Sequence, residues 1–265
     1  MPIITISRGS YSHGKQVAEM LSAKLGYECV SREIILNASK LFNTPEIKLM
    51  RALHDAPSSL DRITYGKERY IAFFQEALLR YLLKDNVIYH GLAGHFFVKD
   101  VSHALKVRIV ADLDERLTNE MERDSVSREK ALRLLKIDDE ERRKWSLELY
   151  GIDTNDPGWY DLIIHIGNMS PEDAVEMIAK TATQPSFQAT EASRKAIETR
   201  MLAARVQVLL LETMPSAKVS IEEGEIVVSG GGYWGDEKKL IARVDGAMDC
   251  EKAGLQLKLR SCNAG

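Results

Sequence analysis

A glycine-bearing segment near the amino terminus has the residue types and spacing of a phosphate-binding loop. It fits the pattern G-x-x-x-x-G-K in its first seven places. Glycines let backbone N–H groups turn inward around phosphate oxygens, and a lysine ammonium can follow a phosphoryl group during its transfer. The predicted nucleotide-binding residues are Gly9, Ser10, Tyr11, Ser12, His13, Gly14, Lys15 and Gln16.

The eighth place of the pattern departs from the usual residue. The pattern has Ser or Thr there, whose hydroxyl is a ligand of Mg²⁺, and this chain has Gln16. Gln16 can offer an amide oxygen or leave the place to water, and Mg²⁺ keeps several waters in most protein sites. We therefore expect ATP and Mg²⁺ as cofactors, and we predict no metal-ligating residue.

A Gly–Ser turn before a helix would also explain this segment without any ligand. The context favours the phosphate loop, because residues 3–7 are a β-branched run typical of a buried strand and residues 17–25 have apolar residues at helical spacing. Strand, loop and helix in this order are the setting that the motif requires. The interpretation needs residues 9–15 to curl around an anion that Lys15 reaches.

A charged stretch over residues 112–150 supplies cations that such a site needs around the transferring phosphoryl group. A helical hairpin between two strands can close as a lid that excludes water. A solvated helix with i,i+4 pairs explains any single arginine better, but we expect at least one of Arg123, Arg142 and Arg143 to contact phosphate. The arginines of the stretch are Arg116, Arg123, Arg128, Arg133, Arg142 and Arg143.

Catalytic roles are predicted for Lys15, Arg123 and Arg142, and acceptor binding for Arg143. Within the same stretch, Asp138 and Glu141 have the spacing of a capping box, which predicts a helix start. Gly151 predicts the end of the helix.

Acceptor-binding candidates also lie outside the hairpin. Arg32 follows the second predicted strand, at the sheet edge where ligands of open α/β sheets bind. Asp61 and Arg62 precede an amphipathic helix predicted over 70–83, and they either bind the acceptor's phosphate or solvate the start of that helix. His90 and His95 lack the spacing of a zinc site, so a structural or substrate-lining role is favoured over a metal.

The elements that must position these residues alternate between strand and helix. Short runs rich in Val and Ile predict five strands, at 3–7, 29–30, 86–90, 105–111 and 160–166. Strands that alternate with helices imply a parallel sheet with right-handed crossovers. Ser170 and Pro171 predict the start of a helix that ends near 181. The sequence thus predicts an α/β fold with a parallel five-stranded sheet and a helical lid.

The composition changes after residue 182. Residues 183–190 are predicted as a linker between a domain of residues 1–182 and a small α+β domain of residues 191–265. The tail is predicted to contain a helix at 191–213, a hairpin of strands at 217–221 and 225–229, a helix near 236–247 and a strand near 255–259.

Bulk composition limits the functional class. The chain has 265 residues, 45% hydrophobic and 28% charged, with a formal net charge of −3. No global basic field attracts nucleic acid, and three scattered cysteines argue against a disulfide framework. No signal peptide or transmembrane run is visible, so we expect a cytoplasmic protein that takes a small-molecule nucleotide.

Several of these segments resemble the cytidylate kinase-like family. Residues 3–26 and the SREI of 31–34 resemble its opening, and the DEERR of 139–143, residues 150–153 and the DPGWYDL of 156–162 resemble its lid and last strand. The resemblance covers about residues 1–180. It implies a three-layer P-loop nucleoside monophosphate kinase fold that uses ATP and magnesium, with a cytidylate-type acceptor.

The resemblance also implies roles for individual residues. Lys15 and its loop would hold the phosphates of ATP, and Arg32 would lie near the acceptor. Asp139 and Arg142 match the family's lid pair, which contacts the acceptor and the phosphates. The segment VSIEEGEIVVSG at 219–230 resembles a BON domain, so the tail is expected to bind a partner or to self-associate; a generic packing or dimerisation domain is the alternative.

Three positions depart from the family's pattern. Gly91, Leu92 and Ala93 stand where cytidylate kinases have Gly-Arg-Asp, so a basic and an acidic acceptor contact are missing. Ser31 stands where many members have Asp. With Gln16, these changes leave two hypotheses: a kinase acting on a nucleoside monophosphate, or a non-catalytic ATP sensor that signals through the tail. Acceptor-dependent release of ADP separates them.

Overall fold

The computed structural model describes residues 2–54, 66–211, 214, 217–223, 225–229 and 257–260. Asp61, Arg62 and the helix predicted near 236–247 lie outside these residues. In the described part, no helix is long and apolar enough to cross a membrane.

A parallel five-stranded sheet forms the centre of the molecule, as predicted. Its spatial order is β2-β3-β1-β4-β5, so the strand that precedes the glycine-bearing loop is central. The apolar runs are buried on both faces because helices cover both faces. The strands are β1 (Ile3–Arg8), β2 (Glu28–Val30), β3 (Val87–His90), β4 (Ala104–Ala111) and β5 (Leu162–Ile166).

Helices connect the strands, and the helix beginning near residue 46 was not predicted. The helices are α1 (Gly14–Leu25), α2 (Arg32–Leu41), α3 (Glu46–His54), α4 (Gly66–Leu82), α5 (Gly94–Phe97), α6 (Leu113–Asp124), α7 (Arg128–Tyr150), α8 (Pro171–Ala182) and α9 (Glu191–Leu211).

Two apolar cores lie on opposite faces of the sheet. Ile4 and Ile6 of β1 pack against α1 and α8, with Leu21 and Ile178 fully buried. The other face is covered by α2, α4 and α9, and this core includes Ile3 and Phe74. The two layers of helices around one sheet confirm the three-layer α/β class.

The charged stretch forms a helical hairpin of α6 and α7, as predicted. The start predicted at Asp138 and Glu141 is wrong, because both residues lie inside the continuous helix α7. The helix is instead capped by Ser127, whose side chain accepts from the Lys130 amide, and it ends at Gly151 with φ 66°. Buried Leu135 packs on α6 and holds α7 helical through the charged segment.

The tail begins with α9, which packs against α4 of the first domain. A three-stranded sheet follows, in the order β6-β7-β8. The predicted hairpin is confirmed by β6 (Lys218–Glu222) and β7 (Glu225–Ser229), which pair antiparallel, and β8 (Leu257–Arg260) joins β7 in parallel. The domain boundary at 183–190 and the BON-like resemblance stay predictions.

Candidate functional site

The loop between β1 and α1 is a compact turn fixed by its own serine. The Gly9 amide donates to the Ile109 carbonyl at 3.2 Å, which ties the loop to the end of β4. The buried Ser12 hydroxyl lies 2.9 Å from the Gly9 carbonyl and 3.0 Å from that of Ile109. Tyr11 and His13 have φ of 58° and 63°, so the chain turns twice before α1 begins.

Successive backbone amides of this turn are available to a ligand. Among the described residues, the N–H groups of residues 10–16 have no hydrogen-bond acceptor. Those of 14–16 belong to the first turn of α1, where the helix itself provides none. A row of free amides at the positive end of a helix is an anion-binding arrangement.

Gly14 is required by close packing against the end of β1. A Cβ atom built at Gly14 would lie 2.7 Å from Cβ and 2.8 Å from Cδ of Arg8. These contacts are too short for any side chain, so only glycine lets the loop fold back over Arg8. The second glycine of the motif thus brings an arginine under the loop.

The hairpin lies directly on the loop. Nε of Arg116 donates to the Ser10 carbonyl at 2.7 Å, and the amide of the Asn119 side chain donates to the Tyr11 carbonyl at 3.2 Å. The Ser10 hydroxyl donates to Asp138 at 3.0 Å. Because both helices of the hairpin contact the loop, arginines of the hairpin are held beside the free amides.

A cavity of about 250 Å³ opens between the ends of β1 and β4, the segment after β3, and α7. Leu92, Ala93, Phe96 and Trp145 give it an apolar wall. Its arginines are Arg8, Arg108, Arg116, Arg142 and Arg143. We call this space the arginine cavity.

A second cavity of about 180 Å³ lies beside the first, and we call it the side cavity. It is bounded by Arg32 and Ile35 of α2 and Phe74 of α4. Both cavities are lined by Ser7, Arg8, Leu92 and Arg142, so they adjoin next to the loop. Two adjoining cavities at the carboxyl ends of parallel strands are where an α/β fold binds ligands.

Arg8 is a site residue that the sequence analysis did not assign. It ends β1 and lines both cavities. Burial, together with the nearby guanidinium of Arg142, lowers the pKa of Arg8 below its usual range. Nη1 of Arg142 donates to the Arg8 carbonyl at 3.3 Å. Two neighbouring guanidinium groups in a cleft favour the binding of an anion between them.

Arg108 is the second unassigned arginine, and it points from β4 into the arginine cavity. Nη1 lies 3.2 Å from the Tyr160 hydroxyl and 3.4 Å from that of Ser7. Nη2 donates to Oδ1 of Asn155 at 3.1 Å. The pairing of β1 with β4 sets Ser7 directly beside Arg108.

Some of the arginines predicted to contact phosphate line the cavities, and others do not. Arg142 and Arg143 line the arginine cavity, and Arg143 also pairs with Asp153 at 3.1 Å. Arg123 lines neither cavity, and its guanidinium donates to the Tyr11 hydroxyl at 2.8 Å. Asp139 lines the arginine cavity and is bound by both oxygens to Arg116, at 2.8 and 2.9 Å.

Lys15 lines neither cavity in this structure, so the expectation that it reaches an anion held by the loop is not met by the side chain as it stands. Its Nζ lies 3.6 Å from Glu19 one turn along α1, and its side chain is 64% exposed. Such exposed i,i+4 pairs stabilise a helix by only about 0.2–0.5 kcal/mol. A phosphate can therefore recruit the ammonium with little loss of stability.

Arg32 lines the side cavity but is engaged by an acid. Nε of Arg32 donates to Glu46 at 2.8 Å, and Nη2 donates to the same oxygen. The side chain is largely exposed. Asp61 and Arg62, the other predicted acceptor contacts, lie outside the described residues.

His90, which ends β3, and His95 of α5 are both buried. No group of three or more His, Cys, Asp or Glu in the described part could hold a metal ion. Burial lowers the pKa of His90 to about 4 and that of His95 to about 3, with Arg8 and Arg108 adding to the respective shifts. His95 is neutral at physiological pH, and its Nε2 lies 3.2 Å from the Tyr160 hydroxyl.

The residues present fit a nucleotide phosphate better than they fit a protein-held ion. The free amides and arginines suit anionic oxygens, whereas the amide oxygen of Gln16 is 3.0 Å from Nδ1 of His13. Nε2 of His13 lies 2.7 Å from Glu115 of the hairpin. Mg²⁺ would reach this site on the phosphates and waters, with few protein ligands.

Comparison with known proteins places these residues in a family. A sequence model of the cytidylate kinase-like family matches residues 3–168. A cytidylate kinase of Sulfolobus acidocaldarius is 28% identical over 176 residues, which are 66% of this chain and 91% of that protein. A cytidylate kinase of Methanobrevibacter smithii is 26% identical over 179 residues, 68% of this chain and 97% of that one.

One solved structure supports the fold. An uncharacterised protein from Eubacterium ventriosum has a TM-score of 0.52 and 22% sequence identity, and the match covers 69% of this chain and 98% of that chain. The likeness is one of fold alone. The family match contains the loop, both cavities' strands and the hairpin, and it ends before α8.

Proposed function

The chain belongs to the cytidylate kinase-like family, and from that premise we propose that it transfers a phosphoryl group from ATP to a nucleoside monophosphate. The observation that carries this proposal is the free amide row of residues 10–16 beside a cavity that five arginines line. An oxygen of the acceptor's phosphate attacks the γ-phosphorus of ATP, the bond to the β-phosphate oxygen breaks, and ADP leaves.

The chain's own residues supply positioning and charge in this reaction. The loop amides bind the phosphates of ATP, and Lys15 turns from Glu19 toward them. Arg142 and Arg8 meet at the point where the two cavities adjoin, so they suit the group in transfer. Mg²⁺, when bound, would neutralise phosphate charge.

The hairpin keeps water from the reacting groups. Its α7 forms one side of the arginine cavity through Arg142 and Trp145, and α6 holds the loop through Arg116. Exclusion of water strengthens each guanidinium–phosphate interaction and prevents hydrolysis of ATP.

An acceptor panel tests the proposal. ADP release is measured with CMP, dCMP, UMP, AMP and GMP for the wild type, Lys15→Ala and Lys24→Ala. We expect acceptor-dependent ADP release that Lys15→Ala weakens, with a KM for ATP about tenfold higher or more, because a charge-assisted contact is lost. Lys24 is the matched control, since it lies at the far end of the same helix and pairs with Glu176 at 2.7 Å.

Two results would count against the kinase. Tight ATP binding without ADP release for any acceptor would leave the sensor as the function. A Lys15→Ala variant that behaves like Lys24→Ala would remove the loop from the reaction.

A further inference from the structure

Arg108 has only neutral partners although it lies beside other cations. Its guanidinium donates hydrogen bonds to Tyr160, Ser7 and Asn155. No carboxylate of the described residues lies within 4 Å of it. Arg8, Arg142 and Arg143 line the same cavity. Arg108 is half-buried, and it interacts with Asp153, which pairs with Arg143, only through charge and without direct contact. A cation with no acid in direct contact gains from an anion that approaches it.

The surroundings of Arg108 fix its direction before any ligand arrives. The Tyr160 hydroxyl donates to the Thr154 carbonyl at 2.9 Å, and its ring lies 4.8 Å from that of His95. The Asn155 amide donates to Asp153 at 3.0 Å, which orients the loop that carries the Asn155 side chain. Three groups thus hold one guanidinium, and a cation fixed in this way suits specific binding.

Arg32 offers the opposite arrangement at the side cavity. It is 67% exposed and is bonded twice by Glu46. An acceptor phosphate there would have to displace a carboxylate, whereas at Arg108 it would supply a missing charge. The two positions are therefore unequal as phosphate anchors.

We propose that Arg108 binds the phosphate of the acceptor nucleotide in the arginine cavity, with Tyr160 and Asn155 as positioning residues. This rests on the proposed function, and it deepens that function by assigning the acceptor's anchor to β4. The contact compensates for Leu92 and Ala93, which offer no charge at the neighbouring wall of the cavity. Arg32 stays with Glu46 when the acceptor binds.

A kinetic comparison gives the first test. Arg108→Met raises the KM for the best acceptor about tenfold or more, because a charge-assisted contact is lost, and leaves the KM for ATP within about twofold. Arg108→Lys recovers part of the loss, and Arg32→Met raises the acceptor KM less than Arg108→Met does. Tyr160→Phe acts through Arg108, so its effect on the acceptor KM disappears in the Arg108→Met background.

Footprinting of the wild type gives a second test that needs neither a folded variant nor turnover. Phenylglyoxal modification of each arginine is followed by mass spectrometry with CMP, with cytidine and with inorganic phosphate. We expect CMP and phosphate to slow the modification of Arg108 about fivefold or more, while cytidine has no effect. Arg128, which is exposed on the hairpin and paired with Asp114, is the control.

The outcomes separate the two proposals. If no acceptor causes ADP release but phosphate protects Arg108 from phenylglyoxal, the proposed kinase activity is rejected and the assignment of Arg108 to an anion-binding site stands. If the wild type is active but phenylglyoxal modifies its Arg108 equally fast with and without CMP, the proposed role of Arg108 is overturned and the proposed kinase activity stands. An unchanged acceptor KM in a folded Arg108→Met variant would overturn it as well.

Discussion

Two sets of cations surround the loop, and they differ in exposure and in partners. We call Arg8, Arg108 and Arg142 the inward arginines: they line the arginine cavity together with Arg116 and Arg143, but unlike those two they have no acid within 3.5 Å among the described residues. Arg8 and Arg108 have no carboxylate within 4 Å among the described residues, and Arg142 meets Asp138 only at 3.8 Å. The hydrogen bonds of Arg108 and Arg142 go to hydroxyl, amide and carbonyl groups.

The outward cations are Lys15, Arg32 and Arg123, with side chains 64%, 67% and 66% exposed. Each pairs with an acid of its own surroundings: Glu19, Glu46 and Asp124. Neutral partners leave the charge of the inward set available to a ligand, whereas acids already satisfy the outward set. We therefore propose that the partners of a cation indicate its role better than its distance from the motif does.

Substitution of one arginine from each set should give the largest contrast. We expect Arg142→Met to lower kcat by roughly 10²–10³-fold, since it removes charge stabilisation at the transferring group. Arg123→Met should lower kcat by less than about tenfold, because Arg123 contacts the Tyr11 hydroxyl and lines neither cavity. The measurement is ADP release at saturating ATP and acceptor, and equal losses would erase the distinction between the two sets.

The pH dependence of stability tests the inward region itself. The folded pKa of His95 is about 3, below the unfolded value of about 6.5, so its contribution is complete above pH 6.5 and is lost as the pH falls toward 3. This costs about 1.4 kcal/mol per pH unit, or about 2 kcal/mol between pH 6.5 and 5.

Urea unfolding at several pH values measures this slope. Burial is the main cause of the shift and Arg108 adds to it, so Arg108→Met should raise the folded pKa and end the loss of stability at a higher pH. His95→Asn should remove the contribution of this group to the slope, because the titrating ring is gone. A slope that neither substitution changes would mean that the inward region does not oppose added positive charge.

The smallest effect is expected for the outward pair on α1. Glu19→Gln frees Lys15 from an exposed pair worth about 0.2–0.5 kcal/mol, so the KM for ATP should fall by about twofold or less. In a Lys15→Ala background the same change should have no effect. A tenfold change would show that Glu19 holds Lys15 firmly away from the phosphates, and the pair would then be inhibitory.

The parallel sheet was predictable because its strands are short apolar runs that alternate with helices. Its strand order was not predicted from the residues, because the handedness of the connections does not fix which strands are neighbours. The loop was predictable because two glycines and a lysine stand between a strand and a helix. The capping box at Asp138 failed because a local pattern was read where buried Leu135 and Trp145 keep α7 continuous. Helix α3 was missed although five of its nine residues are apolar, because so short a segment gives a weak periodic signal.

The inward arginines show the limit of single-sequence reasoning. Arg108 alternates with apolar residues in β4, which alone predicts a solvent-facing side chain. Its site depends on the β1–β4 register that sets Ser7 beside it, and on the distant Tyr160. One signal was present: a charged side chain in a strand expected at the centre of a sheet is unusual. Arg8, just before Gly9, gave the same signal.

The packing of α9 has a consequence for how the chain can be shortened. Ile197 and Ala204 belong to the same apolar core as Phe74 and Leu78 of α4. A protein truncated at residue 190 would uncover that stripe of α4 to water, and self-association of the shortened chain would follow. Phe74 also bounds the side cavity. Loss of the tail helix would therefore change the packing of a residue that lines this cavity, although the truncation point lies elsewhere in the chain.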